Sequence, residues 1–160
     1  MGTPGRNIGV GLILVFLWGA YFVHTWPTFY ESNQYIRLHQ AEALVEFGQV
    51  HIDEAMARYG VRNEDLSLYD GRAYCDKAIG HPFWGSAVYA LLHPVLPDMG
   101  PDRWIYILTL LVNVLPHVLG VYALIQVVLL MGFSFGAALG VGLLYGLATP
   151  SLLYASLYFG

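Results

Sequence analysis

The residues best suited to chemistry lie together in one stretch of the chain, from Tyr69 to Gly80. This stretch puts the carboxylate of Asp76 beside the ammonium of Lys77, directly before an apolar segment that begins at Pro82. A lysine at the edge of a bilayer can reach the phosphate of a lipid head group, and charge-assisted bonds to phosphate are strong. The aspartate could hold the lysine in place or carry a proton. A lysine that extends to the membrane surface and pairs with an aspartate would explain the same pattern without chemistry.

The composition indicates an integral membrane protein. Of the 160 residues, 57% are hydrophobic and only 11% are charged, against roughly 25% charged in a soluble domain. No charged residue follows Arg103, which excludes disorder or an ordinary solvated domain for the C-terminal part. The net charge of −4, without a basic run, argues against nucleic acid as a partner. A single cysteine, Cys75, excludes a disulfide framework.

Four apolar segments are expected to cross the membrane, so the sequence predicts an all-α integral membrane protein with about four transmembrane helices. The first lies within residues 1–30 and the third within 104–131, and each approaches or exceeds the roughly 20 apolar residues of a spanning helix. The second, at 82–96, is short, and the fourth, at 137–160, contains Pro150, where a kink is expected. A cleaved signal peptide is the alternative for the first segment, although no small-residue cleavage site follows it.

A polar block at residues 31–81 holds fourteen of the eighteen charged residues and separates the first segment from the three membrane segments of 82–160. Arg6 places the N-terminus in the cytoplasm by the positive-inside rule, which puts the block outside. The sequence therefore predicts a multi-pass protein of the inner (plasma) membrane, with an extracytoplasmic loop domain after its first helix.

Two local patterns predict structure within this loop domain. Ser32 is expected to cap a helix over residues 33–47 that ends at Gly48, with the modest amphipathicity of a helix at the membrane interface. Asp70-Gly71 is the pattern of a tight turn and predicts a hairpin over residues 67–74. One face of the helix is expected to carry Tyr35, Leu38, Glu42 and Val45, and another Ile36, Ala43 and Phe47.

Other polar and small residues have structural interpretations. Asn113 and His117 lie one turn apart in the third segment, where hydrogen bonding between helices is the expected role and a functional site is the alternative. The glycines that suit close helix packing are Gly136, Gly140 and Gly142. The loop histidines, which lack zinc-site spacing and are expected to be interfacial polar residues, are His39, His51 and His81.

The run from Asn33 to Gly80 resembles the first extracytoplasmic loop of GT-C-type glycosyltransferases that use polyprenyl-phosphate sugars. These membrane enzymes include the protein O-mannosyltransferases and the lipid A aminoarabinose transferases. Asn33 and Arg37 match the opening of the family's loop helix, residues 43–48 match its end, and residues 70–80 match the later lysine motif. The resemblance covers the N-terminal part of a family member. Because the last residues are still apolar, we expect the chain to be part of a longer protein.

The resemblance implies a site for the phosphate of the lipid-linked donor. Lys77 stands where the family lysine contacts that phosphate, and Arg72 and Tyr74 are the further candidates for binding it. A fixed cation there would stabilise the leaving phosphate during an inverting transfer. Asn33 and Arg37 are expected to have a structural role in the loop.

The catalytic carboxylate is less directly matched. Gln34 occupies the position of the family acid, and the nearest upstream acid is Glu31. Glu31 and Asp76 are therefore the candidates for the catalytic base that takes the proton of the attacking hydroxyl.

The partners implied are a polyprenyl-phosphate-linked sugar, membrane lipid, and an acceptor that is a glycan, a lipid or a protein. No cofactor and no metal site is expected, because the sequence lacks a D-x-D pair; a divalent cation stays an alternative, since some relatives use one. A non-catalytic membrane or lipid-binding subunit with the same architecture is the main alternative function. A transporter is disfavoured, because most charge lies in one loop rather than near the membrane midplane.

Overall fold

The structure, a computed structural model, describes residues 4–25, 32–59 and 65–157. Over these residues the fold is mostly helical, with one two-stranded hairpin. The helices are α1 (Pro4–His24), α2 (Ser32–Glu42), α3 (Asp53–Tyr59), α4 (Gly80–Leu92), α5 (Pro101–Leu108), α6 (Leu115–Leu130), α7 (Phe135–Ala148) and α8 (Ser151–Ala155). The strands are β1 (Leu66–Tyr69) and β2 (Arg72–Cys75). A π-helical turn at Ala43–Phe47 extends α2, and another at Thr109–Val114 joins α5 to α6.

Among the described residues, two helical stretches are long and apolar enough to cross a membrane. One is Gly5–Val23 in α1, with 19 residues, and the other is Pro101–Leu130, the continuous α5–α6 helix, with 30 residues. These are the first and third segments expected from the sequence. α7 is apolar but has 14 residues, and α4 has 13, so neither reaches the length of a spanning helix by itself.

The expected kink at Pro150 is a break between two helices. α7 ends at Ala148, Thr149 is extended with φ −113° and ψ 165°, and α8 begins at Ser151. The proline ring disfavours helical backbone in the residue before it, and Thr149 adopts the extended conformation that remains.

The apolar helices α1 and α6 pack against small residues of α7. A Cβ added at Gly142 would lie 2.7 Å from Ile125 Cγ1 on α6, and one at Gly146 would lie 3.1 Å from a Leu17 methyl on α1. Gly142 therefore permits close packing, as the sequence predicted. Gly136 and Gly140 face open space, so that prediction was wrong for them, and Gly146 was missed.

The polar block folds around α2. Gly48 ends its extension with φ 64°, a left-handed conformation that glycine adopts without strain, as predicted. Leu38 packs with residues of α4 and α5, whereas Ile36 packs with residues of α3 and β2. Both predicted apolar faces are thus used. The helix is enclosed on both sides, unlike a helix that rests on a bilayer with one face in solvent.

The predicted hairpin is confirmed. β1 and β2 are antiparallel, with Leu66 opposite Cys75 and Tyr69 opposite Arg72. Asp70 and Gly71 make the turn with φ 50° and 74°, the positive values that a two-residue hairpin turn of this type requires.

Candidate functional site

Lys77 lies at the open end of the hairpin, two residues beyond β2 and three before α4. Its ammonium is 2.6 Å from Asp65 Oδ2 and 3.1 Å from Asp76 Oδ1, so one cation holds two carboxylates. The hydrogen bond to Asp65, with a smaller contribution from Asp76, raises the pKa of Lys77 above its usual value. The same bond lowers the pKa of Asp65. Lys77 therefore stays charged across the physiological range.

Asp65 was missed in the sequence, although the hairpin register contains the signal for it. Leu66 lies opposite Cys75, and the next pair outward in that register is Asp65 and Asp76. Two carboxylates on opposed strands repel each other unless a cation lies between them. Lys77 supplies that cation, so the turn at Asp70-Gly71 brings the three charges together.

Arg37 adds a second positive charge beneath this cluster. It is 4% exposed, and its Nη1 donates to the backbone oxygen of Asn33 at 3.2 Å, one turn earlier in α2. Its charge contributes, after Lys77 and Asp76, to the lowered pKa of Asp65. Asn33 and Arg37 thus lie at the start of the helix that supports the hairpin, where the resemblance gives them a structural role.

The structure does not bring Arg72, one of the other expected phosphate ligands, to Lys77. Arg72 is exposed at the turn end of β2, opposite Tyr69, and the three residues from there to Cys75 span about 10 Å. Tyr74 alternates with Cys75 and faces away from the core, with its ring 6.4 Å from that of His51.

The structure describes one of the two candidates for the catalytic base, Asp76. Glu31 lies outside the described residues. Gln34, at the position of the family acid, is 5% exposed, and its Oε1 accepts no hydrogen bond in the described structure. Asp76 is exposed and accepts from Lys77 at 3.3 Å through its second oxygen. Of these groups, Asp76 is the carboxylate seen at the lysine.

Comparisons with protein-family models, with curated proteins and with solved structures find no match to this chain. The assignment of function therefore depends on the geometry of these side chains and on the sequence resemblance.

Two polar networks along α2 and its extension, the first of them buried, were also missed in the sequence. Glu42 and His39 are both fully buried; Glu42 accepts from the Tyr59 hydroxyl at 2.7 Å and lies 3.2 Å from His39 Nδ1. Glu46 pairs with both terminal nitrogens of Arg58 at 2.7 and 2.6 Å. The hydrogen bond from Arg58 is the main cause that lowers the pKa of Glu46. These networks join α2 to α3.

Of the polar residues in the third segment, Asn113 makes hydrogen bonds to other segments, the role favoured by the sequence. The buried Nε2 of His117 makes none in the described structure. Asn113 donates to the backbone oxygen of Leu157 and lies 2.7 Å from His81 Nε2 on α4. His117 packs between two rings, 5.2 Å from Tyr21 and 5.3 Å from Tyr145. These contacts tie α4, α1 and α7 to the long α5–α6 helix.

One group of side chains in the described residues could hold a metal ion. It consists of His51, Asp53 and Glu54, whose ligand atoms lie within 4.8 Å of one another. The sequence interpretation of His51 as an isolated interfacial histidine overlooked the carboxylates two and three residues later. Their spacing at the start of a helix was the available signal.

Proposed function

We propose that this chain is the N-terminal part of a multi-pass GT-C-type glycosyltransferase of the plasma membrane. In this proposal it transfers a sugar from a polyprenyl-phosphate donor to a glycan, lipid or protein acceptor. The observation that carries the proposal is Lys77, a cation held between two carboxylates three residues before an apolar helix. Such a cation is suited to bind a lipid-linked phosphate at the membrane surface.

Exposed apolar side chains support the membrane location. On α1, Ile8, Leu12, Val15 and Phe16 are 58 to 71% exposed. A soluble protein rarely leaves so many large apolar groups in contact with water, whereas lipid covers them without cost. We place α4 and α7, with α8, as the second and fourth membrane segments, and residues 31–81 on the extracytoplasmic side.

The chemistry proposed is displacement at the anomeric carbon of the donor sugar. The acceptor hydroxyl oxygen bonds to that carbon while its bond to the phosphate oxygen breaks, and the electron pair leaves with the lipid phosphate. Lys77 stabilises the negative charge that develops on that phosphate. The hydroxyl proton passes to a carboxylate, for which Asp76 and Glu31 are the candidates.

One observation favours a second function, that of a lipid-binding subunit without catalysis. Gln34 occupies the position of the family acid, and an amide cannot accept the proton of an attacking hydroxyl. A chain that kept the phosphate cation but lost the base would bind the donor lipid without turning it over.

The test is binding of a polyprenyl phosphate to the chain in nanodiscs. Lys77→Met should lose at least about tenfold in affinity, because an ammonium–phosphate contact is a charge-assisted bond of about 1.5–3 kcal/mol. Lys77→Arg should retain binding, which separates loss of charge from loss of fold. Arg72→Ala is the matched control, since it removes a loop cation that lies away from Lys77.

Equal binding by the wild-type chain and Lys77→Met, with both folded, would overturn the site. Sugar transfer by the longest available form of the protein then separates the two functions. Loss of turnover with retained binding in Asp76→Asn supports an enzyme that uses this base. Donor binding without turnover in the unaltered protein supports the lipid-binding subunit.

A further inference from the structure

A cluster of potential metal ligands lies at the N-terminus of α3, away from the hairpin end that carries Lys77. His51 Nδ1 is 3.1 Å from Asp53 Oδ2 and 3.3 Å from Glu54 Oε2. Three atoms that suit a divalent cation therefore converge on one point. Neither the proposed sugar transfer nor the lysine site uses them.

His51 provides an independent indication that a ligand belongs there. It is 8% exposed, and its buried Nδ1 makes no hydrogen bond in the described structure, although the two carboxylate oxygens are so close. Those oxygens therefore lie out of line with a proton on that nitrogen. A buried polar atom without a hydrogen bond destabilises the fold, and a bound cation would relieve that cost.

The two separations that involve His51 match those of atoms that share a metal. In a tetrahedral zinc site with bonds of about 2.0–2.1 Å, neighbouring ligand atoms lie about 3.3 Å apart. The two distances from His51 Nδ1, 3.1 and 3.3 Å, are close to this value. Imidazole nitrogen with carboxylate oxygens is a ligand set for zinc-like transition metals rather than for calcium or magnesium alone.

The surroundings hold the ligands in place. The Asp53 carboxylate also accepts from the backbone N–H of Ala73 in β2, at 3.1 Å. With its side-chain amide turned so that the nitrogen faces Glu54, Gln49 donates to that carboxylate at 2.7 Å. The ring of Tyr74 packs edge-on against His51. Such contacts orient metal ligands from outside the coordination sphere.

We propose that His51, Asp53 and Glu54 bind one divalent transition-metal cation of the zinc type, with water completing its coordination. Half-exposed carboxylates leave that water position open to solvent. The ion holds the start of α3 against β2 through Asp53 and so stabilises the extracytoplasmic domain. The proposal is independent of the lipid-phosphate site, because the two use different residues.

The experiment measures Zn²⁺ binding to the full chain in detergent, after chelator treatment, by isothermal titration calorimetry. We expect one Zn²⁺ per chain and a rise in the midpoint of thermal unfolding. His51→Gln and Glu54→Gln should each weaken binding by at least about tenfold, as loss of a ligand costs no less than loss of its supporting contacts. Controls that leave binding unchanged are Asp70→Asn, which removes a carboxylate in the hairpin turn, and His93→Gln, which removes a histidine that follows α4.

A second measurement does not depend on the variants folding. Co²⁺ added to the unaltered chain should give the intense visible bands of a four-coordinate site, which Zn²⁺ then abolishes by displacement. Absence of stoichiometric binding, or equal affinity in folded His51→Gln and wild type, would overturn the site. Polyprenyl-phosphate binding measured in the same samples shows separately whether the lipid proposal stands.

Discussion

The buried carboxylate of Glu42 offers a quantitative test of the packing around α2. Glu42 is fully buried, and the Tyr59 hydroxyl donates to it at 2.7 Å. Burial, and then this hydrogen bond, raise the pKa of Tyr59, so the hydroxyl keeps its proton and remains a donor. Tyr59→Phe removes only that hydroxyl and leaves the ring stacked near His39, 5.8 Å away.

The expected cost of Tyr59→Phe is about 2 kcal/mol of unfolding free energy, since hydrogen bonds to charged groups contribute about 1.5–3 kcal/mol. For a chain of this size that corresponds to a fall of about 4–8 °C in the unfolding midpoint. Circular dichroism of the detergent-solubilised protein measures it. Tyr69→Phe is the control, because Tyr69 is 75% exposed and its hydroxyl contacts solvent.

A double-mutant cycle identifies the partner. In a Glu42→Gln background the same hydroxyl donates to a neutral amide, so Tyr59→Phe should cost only about 1 kcal/mol there. A midpoint for Tyr59→Phe within the error of the wild type would refute the reasoning. An equal cost in both backgrounds would show that the hydroxyl stabilises the fold through some other group.

Two further predictions concern helix packing and pH. Gly142→Ala should be less stable than Gly140→Ala by about 1–3 kcal/mol in thermal unfolding, because both gain helix propensity but only the first pushes a Cβ to 2.7 Å from Ile125; equal midpoints would contradict the close packing of α7 against α6. Glu46 has a pKa below its usual 4.5, so its pair with Arg58 stabilises the fold above that pH and is lost as the pH falls through the lowered value. Glu46→Gln should therefore be less stable than wild type near neutral pH, and the gap should close in acid; a constant gap would contradict the assignment.

Local signals in the sequence were sufficient for the first helix and the hairpin of the loop domain, whereas α3 was not predicted. Asp70-Gly71 determined the turn, because few other residue pairs adopt two successive positive φ angles. Gly48 determined the end of the first loop helix for the same reason. Each of these predictions depended on the backbone preference of one or two residues, which does not require knowledge of the tertiary fold.

The charged contacts could not be predicted in the same way. Asp65 reaches Lys77 only because the hairpin closes, and the enclosure of Glu42 and His39 depends on α3 folding over α2. From its sequence alone, a helix with polar residues on several sides is predicted to be amphipathic and to lie at the surface. Its burial becomes visible only when the partners that satisfy those side chains are known, since buried polar groups need hydrogen bonds that distant segments supply.

Lys77 lies closer to Asp65 than to Asp76, and this difference bears on how donor binding and proton acceptance would be coupled in the proposed transfer. Asp65 holds the ammonium at 2.6 Å, whereas Asp76 holds it at 3.1 Å. A lipid phosphate that bound Lys77 would displace the more distant carboxylate first and leave Asp65 to anchor the lysine. Displacement would release Asp76 from its ion pair beside the bound donor, where a carboxylate is required to accept the hydroxyl proton. In the proposed function, the cation proposed to bind the donor would thus also keep the proposed base in an ion pair until the donor binds.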